Sequence, residues 1–431
     1  MFLNKDSYYF SRWSFIFILS FAIGLNLISG MIVVLLARKF YLKNKKLVYS
    51  MVGVNFVLVC GIGYAVLVCL EKRRDSRKND HEMANVENLE MDNEFENGTG
   101  PKRFSYDELV SATRNFNEEG KLGQGGFGGV YRGFCPNLNL NVAVKRVSKG
   151  SQQGRKEYQS EVRIISRLRH RNLVKLIGWC HERNELLLVY EFMPNRSLDK
   201  HLFQGENILS WEVRRRIALG LASALLYLHE LCEQCVLHRD IKSSNVMLDS
   251  DFNTKLGDFG LARLVDHGKG SQTTVAAGTW GYLAPEYATT GKFSKEPDIY
   301  SFGIVGLEIA CGRKSIDVSM ELSLVEWVWG FYGKGKIVEA ADEKLKMEFN
   351  ELEMERLIGL GLWCAHPDSK SRPSITQVIS VLRFESPVPL LPLELPKPVY
   401  PAMPSIHGLP SSAGFTDSEL MADVEPELEI Q

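Results

Sequence analysis

The sequence predicts an α+β protein of two lobes, a small β-rich one followed by a larger helical one, preceded by one or two transmembrane helices. Three observations lead there. Over residues 116–382, short apolar runs separated by turn residues give way to longer helical patterns. Two uncharged apolar stretches, residues 13–37 and 47–70, stand before that core. The chain has 431 residues, 45% hydrophobic and 24% charged, enough for two or three domains of about 100–200 residues each. This balance excludes a collagen or a wholly disordered chain. A net charge of -1 gives no drive toward nucleic acid. Eight cysteines are too sparse for a disulfide scaffold; Cys60 and Cys69 lie inside an apolar run, and the others read as buried thiols in a reducing compartment.

Taken in order, residues 1–30 fit a cleaved signal peptide, with Lys5 and Arg12 ahead of an apolar core and Ser29-Gly30 behind it. Residues 13–37 equally fit a first membrane helix. A helix over residues 47–70 is about 36 Å long, sufficient for about 30 Å of hydrocarbon. Glu71-Lys72-Arg73-Arg74 follows it as a stop-transfer signal. Residues 71–115 then read as a juxtamembrane linker, acid-rich from Asp80 to Glu96. Beyond the core, residues 383–431 read as a proline-rich and then acidic disordered tail.

Within the core, Val142-Ala143-Val144-Lys145-Arg146-Val147 and Leu186-Leu187-Leu188-Val189-Tyr190 read as strands. Ile217, Leu221, Leu225 and Leu228 recur at helical spacing. Gly123-Gln124-Gly125-Gly126-Phe127-Gly128-Gly129-Val130 is a glycine-rich turn, whose N–H groups can approach phosphate because no Cβ intervenes. Gly129 adds slack to it. Dinucleotide sites share the pattern, but they want a helix directly after the glycines and an acid about 20 residues on. Here Val130-Tyr131-Arg132 reads as a strand, and Lys145 stands 22 positions after Gly123. A lysine suits ATP phosphates. His238-Arg239-Asp240-Ile241-Lys242-Ser243-Ser244-Asn245 matches H-R-D-x-x-x-x-N, and Asp258-Phe259-Gly260 and Ala284-Pro285-Glu286 follow in order.

With these four motifs in sequence, the core resembles a protein kinase along its whole length. Lys102-Arg103-Phe104-Ser105-Tyr106-Asp107-Glu108-Leu109, Ala112-Thr113, Asn115-Phe116, Gly257 to Arg263, Ser301-Phe302-Gly303 and the run Pro387 to Pro392 narrow the resemblance to plant L-type lectin receptor-like kinases. Those receptors carry a legume-lectin ectodomain between signal peptide and span. Only residues 31–46 could take that place here, so carbohydrate binding is not carried over.

The resemblance implies a role for each matching residue. Gly123, Gln124, Gly125, Gly126, Phe127, Gly128, Val130 and Ala143 would surround ATP. Lys145 would hold its α- and β-phosphates and pair with Glu161, on a helix marked by Tyr158, Val162, Ile165 and Leu168. Tyr190 would stand at the back of the adenine pocket, with Glu191, Phe192 and Met193 as the hinge. Asp240 would orient and deprotonate the acceptor hydroxyl, Lys242 would contact the γ-phosphate as in serine/threonine kinases, and Asn245 and Asp258 would bind Mg²⁺. Glu286 would pair with Arg372. Arg239 marks the subclass switched by activation-loop phosphorylation, at Thr273 or Thr274, while the Thr279 hydroxyl would contact Asp240 or Lys242.

The function implied is a plasma-membrane serine/threonine kinase with a cytosolic catalytic core. Its partners would be ATP, protein substrates, the lipid membrane and co-receptor or full-length receptor kinases, with no nucleic acid. The alternative is a weakly catalytic or decoy scaffold that lacks a ligand-binding ectodomain. Intact Lys145, Asp240, Asn245 and Asp258 favour catalysis. His229, Cys232, Cys235 and His238 have residue types that zinc favours, but His229 closes a helical pattern and His238 belongs to the H-R-D loop, so zinc is discounted.

Overall fold

A computed structural model describes residues 100–125, 128–147, 152–183, 185–205, 208–266, 272–273, 277–316 and 322–397. Both apolar stretches lie outside the described residues, among which no helix is long and apolar enough to cross a membrane.

The small lobe is one sheet of six strands: β1 (Lys102–Arg103), β2 (Lys121–Gly125), β3 (Gly128–Cys135), β4 (Leu140–Val147), β5 (Leu176–Glu182) and β6 (Glu185–Glu191). Their order is β1-β5-β6-β4-β3-β2. The pairing of β1 with β5 is parallel and the others are antiparallel. Side chains alternate across β4. Val142 and Val144 enter an apolar core with Leu187, Val189 and Tyr131, while Ala143 and Lys145 line the cavity between the lobes.

That core is closed by a segment expected to be linker. The assignment of residues 71–115 to a linker is corrected from Gly100 onward. β1 is followed by helix α1 (Tyr106–Ala112), and Phe104, Leu109 and Phe116 are buried on the sheet. The local cause is a capping box. The Ser105 hydroxyl accepts the Glu108 N–H while the Glu108 carboxylate accepts the Ser105 N–H. The tertiary cause is Gly178, because a Cβ there would stand 2.0 Å from the Lys102 carbonyl oxygen and 2.4 Å from the Phe104 ring.

Helix α2 (Gln152–Ile165) completes the small lobe. Tyr158, Val162 and Ile165 are buried along it; Leu168 lies in the turn beyond its end. The large lobe is built on α3 (Trp211–Leu226), α4 (Pro285–Thr290), α5 (Lys295–Cys311), α6 (Leu324–Gly333), α7 (Glu351–Cys364) and α8 (Ile375–Leu382). Three two-stranded ladders accompany them: β7 (Cys235–Leu237) with β10 (Arg263–Val265), β8 (Val246–Leu248) with β9 (Thr254–Leu256), and β11 (Gln272–Thr273) with β12 (Lys292–Phe293). The first two bring the H-R-D loop and the Asp258 turn side by side.

The tail assignment from residue 383 is corrected too. Trp329 Nε1 donates to the Pro392 carbonyl at 2.9 Å, and the Tyr332 hydroxyl bonds both the N–H and the carbonyl of Leu391. Arg356 reaches the Ser386 carbonyl at 2.9 Å. Prolines cannot donate, but their carbonyls accept, and α6 and α7 supply the donors.

Gly178→Ala should force β1 off the sheet edge. Overpacking of this kind costs about 1–3 kcal/mol. Urea unfolding should show that loss, and amide exchange across residues 102–112 should accelerate; unchanged exchange there would contradict the account of Gly178.

Candidate active site

The lobes enclose a cavity of about 290 Å³. Leu122, Val130, Ala143, Val174, Tyr190 and Met193 give it an apolar wall, and Lys145, Glu161 and Asp258 a charged end. Lys145 faces Val130 across the β3–β4 pairing and Leu188 across β4–β6. Its ammonium lies 3.0 Å from Glu161 Oε2 and 2.7 Å from Asp258 Oδ1. Burial would lower the lysine pKa, but the two carboxylates outweigh it and hold the group charged well above the ordinary range. Burial likewise pushes Asp258 up, and Lys145 pulls it net below the usual carboxylate range. The Tyr190 hydroxyl donates to Glu161 Oε1.

The glycine turn is the β2–β3 hairpin, with Gly123 opposite Val130, Gln124 opposite Gly129 and Gly125 opposite Gly128. Gly126 and Phe127 lie outside the described residues. An added Cβ at Gly123 or Gly125 would meet nothing within 4 Å, so their backbone borders open space. The slack assigned to Gly129 is corrected: a Cβ there would strike the Tyr131 ring at 2.9 Å, so this glycine serves packing. At the hinge, Glu191 is held by the Lys175 N–H and by Lys255, 3.5 Å away. Glu191 and Met193 border the cavity.

Below it, Asp240 is surrounded by donors. Its Oδ1 accepts from the Thr279 hydroxyl at 2.7 Å, and its Oδ2 from Asn245 Nδ2 at 3.1 Å. Lys242 Nζ stands 2.9 Å from Oδ2 and donates to the Thr279 oxygen at 2.7 Å. Asn245 Nδ2 also donates to the Asp240 carbonyl. The Asn245 amide therefore spends its nitrogen on Asp240 and keeps its carbonyl oxygen as an acceptor. That oxygen and the Asp258 carboxylate are hard ligands, and among the described residues no cluster of three His, Cys, Asp or Glu side chains could hold a metal alone. Two oxygen ligands completed by phosphate oxygens suit a hard divalent cation.

The zinc constellation does not form. His229 Nε2 lies 3.0 Å from Asp298, and His238 Nε2 lies 3.0 Å from the Gly257 carbonyl, while Cys232 and Cys235 are reduced thiols, Cys232 beside the Tyr227 side chain. His238 Nδ1 accepts the Asp240 N–H, which makes Nε2 the protonated nitrogen.

Arg239 is buried. Its guanidinium donates to the Tyr287 hydroxyl at 2.7 Å and to the Leu261 carbonyl. The Tyr287 hydroxyl also accepts the Ala277 N–H, where the activation loop returns. Thr273 is placed only through its β11 backbone, paired with Lys292, and Thr274 lies outside the described residues. Glu286 and Arg372 form a bidentate pair at 2.6 and 2.7 Å.

One site residue escaped the sequence reading. Asp298, near the start of α5, is buried and accepts the N–H groups of His238 and Arg239, both at 2.8 Å, besides the His229 ring. It fixes the H-R-D backbone, where Arg239 has φ 69°. The one local signal was an acid directly before a run, Ile299 to Leu307, that carries no charge.

Residues 116–382 match the family model "Protein kinase domain". The chain is 55% identical over 368 residues to the L-type lectin-domain containing receptor kinase IX.1 of Arabidopsis thaliana, covering 84% of this chain and 56% of that relative. It is 55% identical over 345 residues to the Arabidopsis receptor kinase IX.2 of the same type, covering 77% and 51%. It is 48% identical over 339 residues to the L-type lectin-domain containing receptor kinase SIT2 of Oryza sativa subsp. japonica, covering 78% and 49%. The chain thus spans about half the length of the curated relatives it matches.

Asp298→Asn removes the charge from three hydrogen bonds, and charged ones are worth about 1.5–3 kcal/mol each. Burial raises the Asp298 pKa, but these bonds bring it net below the ordinary value. Its contribution is therefore complete above about pH 4, the unfolded pKa, and is lost as pH falls through the lower folded value. The stability gap between wild type and Asp298→Asn in urea unfolding should be largest at neutral pH and close in acid. A gap that widens on acidification would exclude this role.

Proposed function

The chain belongs to the protein kinase family, and within it we propose a membrane-anchored, receptor-like serine/threonine kinase that uses ATP and Mg²⁺. The observation that carries this reading is Asp240. Its carboxylate is aimed by Thr279, Asn245 and Lys242, and the cavity above it holds the Lys145–Glu161–Asp258 cluster.

The glycine turn and Lys145 hold the nucleotide phosphates, and the backbone of Glu191 to Met193 takes the adenine against the wall of Val130, Ala143 and Tyr190. Asn245 and Asp258 hold the cation, which supplies neutralisation of phosphate charge. Asp240 accepts a hydrogen bond from the acceptor hydroxyl and then its proton. Lys242, two positions on, matches the serine/threonine form of the loop.

Residues 47–70 anchor the chain in the plasma membrane with the catalytic core cytosolic. The apolar composition, the basic residues that follow and the receptor kinases among its relatives support this. Residues 1–30 act as a signal, or 13–37 as a first helix, and residues from 398 on form the acidic tail. Partners among co-receptor and full-length receptor kinases fit this reading, and the relatives are named receptor kinases.

Phosphorylation of Thr273 or Thr274 switches the enzyme. Burial and then the charge of Arg239 lower the Arg263 pKa, which places two guanidinium groups close enough to repel. A phosphate of -1.5 to -2 charges would relieve that repulsion and order the loop. Thr279 is the poorer acceptor, because its hydroxyl is committed to Asp240 and Lys242.

The full chain with MgATP should phosphorylate serine and threonine peptides rather than tyrosine peptides. Asp240→Asn should lower kcat by about 10²–10⁴-fold with little change in nucleotide affinity. Lys145→Met should weaken the nucleotide site as well. Wild type and Asp240→Asn equally silent would instead support the scaffold alternative.

Thr273→Ala combined with Thr274→Ala should reduce the rate, and Arg239→Ala should leave the enzyme insensitive to phosphatase. Mass spectrometry of the autophosphorylated chain, with rates before and after phosphatase, measures both. A fully active enzyme with an unphosphorylated loop would remove the switch and leave the kinase assignment standing.

A further inference from the structure

Away from the catalytic cleft, the large lobe carries a second cavity, of about 470 Å³, whose walls are basic. Arg171 comes from the loop after α2, Arg216 from α3, Lys255 from β9 and Arg383 from the end of α8. Three arginines from separate elements thus line one space. Arg216 donates to the Asp251 carbonyl, a neutral group. Among the described residues, none of the three arginines makes an ion pair. The carboxylate lining the cavity, Asp249, is spent on its own turn, accepting the N–H groups of Asp251 and Asn253 and the Asn253 amide. Among the described residues Lys255 is paired with Glu191, at 3.5 Å, and its charge also helps to lower the Asp249 pKa, so the three arginines carry the uncompensated charge. The surplus charge is felt nearby: after burial, Arg171 and Lys255 are what lower the His170 pKa. The floor is rigid, because Asn172 Nδ2 is bonded to the Thr254 carbonyl at 3.0 Å and the Thr254 hydroxyl to the Ile217 carbonyl at 3.0 Å.

A rigid cavity with several uncompensated guanidinium groups is shaped for carboxylate or phosphate oxygens. This chain contains a matching segment. From Pro398 onward there is no lysine or arginine, and residues 416–429 carry Asp417, Glu419, Asp423, Glu425, Glu427 and Glu429. We propose that the cavity is an anion site for this segment, which docks there through carboxylate–guanidinium pairs.

Reach permits it. The described chain stops at Lys397, so the acidic stretch begins about 60 Å and ends about 105 Å along an extended chain, against a diameter of about 50 Å for a domain of this size. Exposed ion pairs are individually weak, but tethering raises the local concentration of the segment to the order of mM. Residues 80–96 are also acidic. These precede β1, an edge strand of the small-lobe sheet, whereas the cavity belongs to the large lobe and includes Arg383, 14 residues before the described chain ends at Lys397.

Hydrogen–deuterium exchange on the full chain in neutral-lipid nanodiscs tests this. Three proteins are compared: wild type, a tail variant with its six acids changed to Asn or Gln, and Arg171→Gln/Arg216→Gln/Arg383→Gln. In wild type, peptides covering residues 171–172, 249–255 and 416–429 should exchange several-fold more slowly than in either variant. The difference should vanish at about 0.5 M salt, where screening is nearly complete. Cavity peptides that exchange alike in wild type and the tail variant would overturn the proposal. So would protection that appears only with phosphatidylserine in the disc, which would make a lipid headgroup the occupant. Should the triple variant fail to fold, the tail variant decides the matter alone, since its changes leave every described residue intact.

Discussion

Everything in the cleft is arranged about one largely buried ammonium. An unpaired lysine there would be prohibitively costly. Lys145 is admitted because a small-lobe helix and a large-lobe turn each bring a carboxylate to it, at 3.0 and 2.7 Å. Breaking such a pair by removing one partner leaves an uncompensated buried charge, so each lobe holds the other in place. The helix is positioned for this by further bonds. The Tyr158 hydroxyl reaches the Cys180 carbonyl on β5, and the Ser160 hydroxyl reaches the Ala262 carbonyl just beyond the Asp258 turn. The Tyr190 hydroxyl occupies the remaining Glu161 oxygen.

The same electrostatics holds the backbone where it would not otherwise rest. Arg239 and Asp258 have φ of 69° and 62°, a region that costs a non-glycine residue about 1–3 kcal/mol. Charge-assisted bonds offset both. Asp298 accepts the Arg239 N–H, and Lys145 holds the Asp258 side chain. Strain thus sits beside the two acids assigned to chemistry, and each strained residue answers to a charge from another part of the chain. Glu308 extends the pattern to the loop after Thr279. Burial raises its pKa to about 7, and its Oε1 accepts from the Tyr282 hydroxyl and the Ser315 N–H.

What the sequence made legible follows from how local each signal is. The glycine turn, the H-R-D loop and the Asp258 turn are contiguous motifs, and each could be read with its neighbours. Glu161 could be read because a helical period surrounds it, and Arg372 through the resemblance. Asp298 left only a faint local signal, since its importance lies in amides 59 and 60 residues away. Ser105-x-x-Glu108 was a readable capping box that the linker composition ahead of it obscured. The proline-rich run after Ser386 misled for another reason. Composition reports what a segment cannot donate, whereas its packing is decided by Trp329 and Tyr332, which donate to it.

The folded unit therefore exceeds the stretch that carries the chemistry. Motifs begin and end within residues 116–382, yet Phe104 and Leu109 cover the face of the sheet where Val142, Val144, Leu187 and Val189 are buried. Without residues 100–115 that face would be an open apolar surface, of the kind folded proteins rarely leave exposed. Without residues 386–392, the Trp329 indole N–H and the Arg356 guanidinium would lose the carbonyls that satisfy them. The sheet so covered is also what carries Lys145 to the cleft. A boundary drawn from catalytic motifs would thus remove support from the very strand on which those motifs depend.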